Sequence, residues 1–263
     1  MKVKSVVKIM NFHSLLRVNS ARKKAERLNE YEKELHSMID TILNNRNFLL
    51  DKKSLIPPKD KKDLVIYIGN DYGFCSNFNT AVNDKLKHDK ENDKILIGKK
   101  INANLATNVI KYMDKDSFYA GVADINNYLL DSLINFKYSN IKVVYNHYYN
   151  VNKLGLVEKV IFPIEPLSEN QEKKYSDDFV VEGNINEILI NLVSLYIGYE
   201  IEIAEASSWA AENVMRQLVT KESLDKIEKI EEEKETMIRK EKKNKAFKKI
   251  IENSNHIRER EEW

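Results

Sequence analysis

The chain has 263 residues and a mass of 30.8 kDa, room for one large domain or two smaller parts, since domains usually run to ~100 to 200 residues. Its 43 basic and 41 acidic residues leave a net charge of +2, so no global field recommends nucleic acid or anionic lipid as the main partner. With 32% charged residues, 42% hydrophobic ones, and only 7 glycines and 4 prolines, the composition favours long solvated helices and argues against loop-rich all-β or collagen-like chains.

From Lys2 to about Asn47 no glycine or proline interrupts the chain, and Val18, Ala21, Ala25, Leu28, Leu35, Met38 and Ile42 keep three-four spacing. One long amphipathic helix is expected. Pro57-Pro58 stops it, because proline lacks the donor and restricts the residue before it. Short β-type runs then begin at Leu64–Ile68, Lys94–Ile97, Ile141–Tyr145 and Lys159–Phe162, with helix-length segments at Phe78–Lys87, Ile101–Met113 and Asp124–Phe136 between the first three. Strands alternating with helices imply a largely parallel sheet with covered faces. Beyond Gly183 the sequence turns helical again, with no proline after Pro166 and no glycine after Gly198. A helix to about Asn255 would be ~100 Å long, too long for a domain of this size to bury, so it needs a partner. The architecture expected is α/β: a long antiparallel coiled coil of residues 1–56 and 184–263, with a small Rossmann-like α/β domain of residues 57–183 inserted.

The single cysteine, Cys75, excludes an internal disulfide framework, and the first residues carry no secretory signal pattern, so a cytoplasmic setting is expected. Charged and amide residues break the apolar stretch 185–203, which rules it out as a free membrane span. Gly69-Asn-Asp-Tyr-Gly73 and Gly98-Lys99-Lys100 end strands as phosphate loops do, but neither fits GxGxxG or a Walker A pattern, and tight strand-to-helix turns explain them better. Cys75 reads as a buried, inert thiol. The five histidines and the scattered carboxylates show no metal-ligand spacing, so neither a metal nor another cofactor is expected. Acidic residues 228–235 and basic residues 239–245 follow one another along the last helix, an order suited to a solvated face or to docking in a charged collar.

Asn70-Asp-Tyr-Gly-Phe-Cys-Ser-Asn-Phe-Asn79, following the first strand, resembles the Ser-Asp-Arg-Gly-Leu-Cys-Gly-Gly-Phe-Asn of the gamma subunit of F1-type ATP synthases. Asp71, Gly73, Cys75, Phe78 and Asn79 match it. Gly98-Lys99-Lys100, Tyr145-Asn146 and Phe162-Pro163 follow in the family's order, and Val18–Arg22 is similar to its first-helix segment. The resemblance spans nearly the whole chain and ends at the tip, where Asn253–Trp263 replaces a glycine- and alanine-rich segment, as expected of a divergent F1-like motor.

The resemblance implies a central rotor shaft whose partners are the alpha- and beta-type subunits of an F1-like hexamer, with catalysis in those subunits. It also implies an epsilon-like, membrane-ring or cytoskeletal partner at the foot, and a location in the cytoplasm at the inner face of the cell membrane. Arg22, Arg239, Lys240, Lys242 and Lys243 are the expected contacts to the ring. Two other readings remain open from sequence: a nucleotide-using α/β enzyme with helical arms, and a coiled-coil scaffold.

Overall fold

The computed structural model describes residues 3–44, 57–164 and 182–261, with side chains through Ile251. Helix α1 spans Val3–Asn44, and residues 45–47 of the expected first helix lie outside the described residues. At the other end, α5 runs unbroken over Ile185–Glu261, 77 residues. Between them lie β1 (Leu64–Ile68), α2 (Thr80–His88), β2 (Asp93–Ile97), a 3-10 turn at Ala103–Leu105, β3 (Val109–Met113), α3 (Lys115–Ala120), α4 (Val122–Ile134), β4 (Ile141–Asn150) and β5 (Lys153–Phe162).

One expected helix is a strand. Residues 101–113 form the 3-10 turn and then β3, which pairs in parallel with β2. The run Val109-Ile-Lys-Tyr-Met113 is β-branched and aromatic, and such side chains favour a pleated surface. Asn108, at φ 56°, turns the chain into the strand. The sheet order is β3-β2-β1-β4-β5, parallel except for the antiparallel β4–β5 hairpin. Its central strands bury both faces, which is why they read as continuous apolar runs. Ile66, Ile68, Ile95, Ile97 and Val143 face a core shared with α4, α5 and Ile39 and Ile42 of α1. On the opposite face, Val65, Tyr67, Leu96 and Val144 pack with Val82 and Leu86 of α2.

Helices α1 and α5 are antiparallel: Lys4 pairs with Glu228 and Glu231, the Asn11 amide donates to the Gln217 carbonyl and the Thr220 hydroxyl, and Tyr31 meets Tyr199. On α1, positions 11, 14, 18, 21, 25, 28, 32, 35, 39 and 42 are buried or half-buried, and on α5 so are 196, 199, 203, 206, 210, 213, 217, 220, 224 and 227. Each set alternates steps of three and four, a heptad seam. All the expected apolar positions lie on it except Met38, which is exposed while its neighbour Ile39 is buried. A second departure concerns length. The seam ends near Ile227, level with the start of α1, and the same heptad positions onward are Glu231, Lys234, Ile238, Glu241, Lys245 and Lys248. The expected coiled coil is therefore shorter than residues 184–263 on the α5 side: Met237, Ile238, Phe247, Ile250 and Ile251 are exposed, because α1 does not reach them.

In the middle of the seam the facing positions are small, with Ala21, Ala206 and Ala210 all fully buried. Enlarging Ala21 to Leu should force the helices apart and cost about 1–3 kcal/mol, read as a lowered urea midpoint for the full chain. The same change at exposed Arg22 should leave the midpoint nearly unmoved.

Candidate functional site

The family-like segment 70–79 leaves β1, packs its tip against α5 and leads into α2, forming a joint between the α/β part, the foot, and the α1–α5 coiled coil, the shaft. Asp71, buried, accepts hydrogen bonds from the backbone N–H of Lys99 (2.8 Å) and of Lys115 (3.1 Å), so one carboxylate ties together the chain segments that follow β1, β2 and β3. Asn79 does not cap α2 with its side chain; its Oδ1 accepts from the Asn70 N–H instead, closing the loop on itself. Gly98, at φ 126°, lies so close to Gly69 that an added Cβ would meet the Gly69 carbonyl carbon at 2.8 Å. These glycines serve close packing of strand ends.

The tip of the loop rests on α5. Arg216 donates from Nε to the Gly73 carbonyl (3.2 Å) and from Nη2 to the Cys75 sulfur (3.2 Å), while Nη2 also meets Glu212 Oε1 at 2.5 Å. Burial pushes the Cys75 thiol up to about 11, which keeps it protonated and inert at neutral pH. Phe78 packs against Ala211, and its carbonyl accepts from Asn146 of β4.

Three further elements grip the shaft. Lys115, at the start of α3, lies 2.9 Å from Glu212 and 3.3 Å from Glu205. From β5, Lys159 donates to both oxygens of Glu200 at 2.7 Å. The β4–β5 hairpin contributes the Tyr148 N–H and the His147 ring, both on the Ser207 hydroxyl. Helix α1 is held to the foot here too: Lys24 sits 3.5 Å above the Tyr119 ring of α3, and Arg22 lies 6.0 Å from the Tyr148 ring of β4.

Charge is unevenly satisfied within the joint. Glu205 is 1% exposed, and its oxygens accept no hydrogen bond although Lys115 is near. Desolvation, opposed by the Lys115 and Lys24 charges, raises its pKa above 4.5. His147 is shifted downward, mainly by burial and then by the Lys159 charge.

Asp71, Gly73, Cys75, Phe78 and Asn79 are thus brought together, whereas the expected ring contacts are not one cluster. Arg22 lies beside the foot, 3.8 Å from Glu26. Arg239, Lys240, Lys242 and Lys243 lie exposed beyond the end of α1, with Arg239 3.6 Å from Glu235. Sequence reasoning missed Lys115, Glu205, Glu212 and Arg216. A signal was present: Glu205 and Glu212 stand one heptad apart inside an otherwise small and apolar run, where carboxylates need buried partners. Among the described residues no group of three or more His, Cys, Asp or Glu is placed to hold a metal, and no helix is long and apolar enough to cross a membrane.

The family model described as ATP synthase matches residues 1–252. This chain belongs to the ATP synthase gamma-chain family. Among relatives, the ATP synthase gamma chain of Clostridium perfringens is 26% identical over 225 residues, 81% of this chain and 77% of that one. The gamma chain of Mycoplasma mycoides is 26% identical over 247 residues, 89% and 86% of the two chains. A chain of the Tetrahymena thermophila mitochondrial ATP synthase central stalk and c-ring shares the fold at a TM-score of 0.58 and 13% identity, covering 83% of this chain and 99% of its own. One from the Euglena gracilis enzyme gives 0.51 and 15%, covering 91% and 93%. Gamma chains are non-catalytic subunits, with catalysis in the beta subunits.

Within the joint, Glu212 and Glu205 should respond differently to loss of charge. Glu212→Gln leaves buried Arg216 without its carboxylate partner and Lys115 without the nearer of its two, and should cost about 3–5 kcal/mol. Glu205→Gln should be nearly neutral or stabilising at pH 7. The folded pKa of Glu205 is raised, so its contribution is most favourable below 4.5 and declines as pH rises through the folded value. Urea unfolding of both variants between pH 4.5 and 8 checks this, the gap between wild type and Glu205→Gln widening in favour of the variant as pH rises.

Proposed function

We propose that this chain is the central shaft of an F1-like rotary ATPase, coupling ATP hydrolysis or synthesis in a ring of alpha- and beta-type subunits to rotation. The observation that carries this is the course of α5. It is buried on two sides through the joint, paired with α1 as far as Ile227, and then continues past the end of α1, exposed and densely charged, for a further ~45 Å or more. A helix of that kind is too exposed to be a core element and is stiff enough to reach into a ring. The foot, fixed to the shaft by Lys115, Lys159 and Arg216, makes the assembly eccentric. Rotation of an eccentric shaft changes its contacts with each catalytic subunit in turn, and so shifts which conformation of that subunit is favoured.

Contacts to the ring are proposed at Arg22, Arg239, Lys240, Lys242 and Lys243. Exposed ion pairs suit a surface that must make and break contacts repeatedly, since each is worth only ~0–1 kcal/mol. Ile9, Phe12, Leu15 and Leu16 are proposed with them, on the support that they are exposed on α1 in a stretch with no acidic residue before Glu26. The foot is proposed to meet an epsilon-like subunit, a membrane ring or a cytoskeletal device at the inner face of the cell membrane. A nucleotide-binding role for the loop 69–79 has less support, because its tip is committed to Arg216 and α5.

Reversing Arg239, Lys240, Lys242 and Lys243 to Glu should leave α5 folded, since helix propensity changes little, but impair ATP hydrolysis by the reconstituted assembly at low ionic strength. The defect should shrink as salt rises and the Debye length falls from ~10 Å at 0.1 M to ~3 Å at 1 M. Unchanged hydrolysis and assembly at low salt would show that these four residues are a solvated face. The chain alone should show no micromolar affinity for ATP by calorimetry, and such affinity would favour the enzyme reading.

A further inference from the structure

The β4–β5 hairpin outruns the sheet. Pairing with β1 ends at Val144, while β4 continues to Asn150, and the projecting end leans on α5. Side chains alternate across a strand, so His147 follows Val143 and Tyr145 on the face turned to α5, and its half-buried ring meets two hydroxyls at one nitrogen. Nδ1 lies 3.0 Å from the Ser207 hydroxyl of α5 and 3.2 Å from that of Tyr145. The Ser207 oxygen in turn accepts from the Tyr148 N–H at 3.1 Å.

Proton accounting decides which way these bonds run. Each hydroxyl carries one proton. Ser207 and Tyr145 are 7% and 5% exposed, and among the described residues neither hydroxyl has a hydrogen-bond acceptor other than Nδ1. With Nδ1 bare, both donate to it and no buried donor is left over. A proton on Nδ1 reverses this: Ser207 can turn its oxygen to the ring, but its own proton and that of Tyr145 are then buried without acceptors, a cost relieved only by letting water in. The neutral ring with its proton on Nε2 is therefore the form this site holds.

The charges around the ring do not favour an imidazolium. Lys159 of β5 is a cation whose bonds occupy the Glu200 carboxylate of α5. Lys153 lies 4.9 Å from the centroid of the Tyr149 ring, which packs on His147 at 4.4 Å. From α1, Arg22 lies 6.0 Å from the Tyr148 ring. Burial, and next the Lys159 charge, hold the His147 pKa below 6.5.

We propose that His147 is an acid-released clasp between the β4–β5 hairpin and the shaft: neutral, it accepts from Ser207 and Tyr145 and holds the hairpin end against α5; protonated, it accepts from neither, and residues 145–150 lift from Ser207. The proton comes from solvent, which the half-buried ring touches. The clasp belongs to the chain itself and does not depend on the ring proposed above. Its sign follows from linkage. A histidine held below 6.5 in the closed clasp binds its proton more tightly once the clasp is open, so closure is at full strength above 6.5 and is lost as pH falls through the closed-state value.

Two measurements on the full chain test this. Nitrogen-15 histidine NMR, with His147 assigned by the loss of its signals in His147→Asn, should show a bare Nδ1 at pH 8 and titration below 6.5. Tyr145→Phe, which removes one donor and keeps the ring, should raise that titration. Amide hydrogen exchange, corrected for its intrinsic pH dependence, should show the local opening constant at Tyr148 rising by up to about tenfold for each pH unit below 6.5 until the His147 value is reached. Residues 64–68 of β1 should show no such rise. His147→Asn, whose Oδ1 stands near the place of Nδ1 and does not titrate, should remove the pH dependence at Tyr148. A proton on Nδ1 at pH 8, titration of His147 at 6.5 or above, or the same pH dependence at Tyr148 in His147→Asn as in the wild type, would overturn the clasp.

Discussion

Most of the stability of a helix such as α5 comes from tertiary burial, since its backbone hydrogen bonds largely replace those to solvent. That burial is concentrated between Tyr196 and Thr220, where the helix carries the α1 seam on one side and the foot on the other. Everything else in the molecule is arranged around this doubly covered stretch. The sheet supplies a flat apolar face through Ile66, Ile95 and Val143, α4 fills the space beside it, and the chain crosses from α1 to α5 only through the foot. Small residues in the run Ala204–Ala211 let neighbours approach from two directions at once.

Apolar packing alone would not make this stretch a joint. It favours contact area and is nearly indifferent to a small rotation of one surface over the other, whereas a hydrogen-bonded ion pair fails when its geometry is lost. The foot places Lys115 and Lys159 against buried carboxylates of α5, while Arg216 on α5 reaches back to the Gly73 carbonyl. Contacts run in both directions across the interface, so turning the shaft within the foot would uncover charge in a place water does not reach. Such burial is costly, and an apolar replacement of the same shape could be more stable. What the ions supply is resistance to one specific movement, the movement a torque-bearing connection must prevent.

Much of this was legible in the sequence because the signals were periodic or punctuated. Heptad spacing from Val18 to Ile42, the absence of glycine and proline beyond Gly198, and the apolar runs at Leu64 and Ile141 each depend on local chemistry that survives in any context. The helix expected at 101–113 failed for the converse reason: its last five residues take their conformation from pairing with β2, and a short edge strand has little burial pattern of its own. Met38 and Ile39 are adjacent and alike in apolarity, so only the partner helix decides which of them faces inward. The joint was half visible. Asp71, Gly73 and Cys75 stand out as a motif, but Lys115 lies far along the chain from Glu205, Glu212 and Arg216, and they become a site only when the foot packs on α5.

Along α5 the same backbone therefore serves three mechanical purposes, and side-chain chemistry alone separates them. Apolar residues at Leu189 and Val193 anchor the helix to the sheet. Buried ions from Glu200 to Arg216 lock its orientation. Beyond Ile227 the heptad positions turn to Glu231, Lys234 and Glu241, which neither seek α1 nor leave an uninterrupted apolar seam for a second copy to cover. The change falls where the partner helix ends, so the limit of the coiled coil is written twice, once in the length of α1 and once in the composition of α5. A helix that kept its apolar seam past that point would associate through it; one that abandons it is held in position only by what surrounds it, and a shaft turning inside a ring needs that freedom.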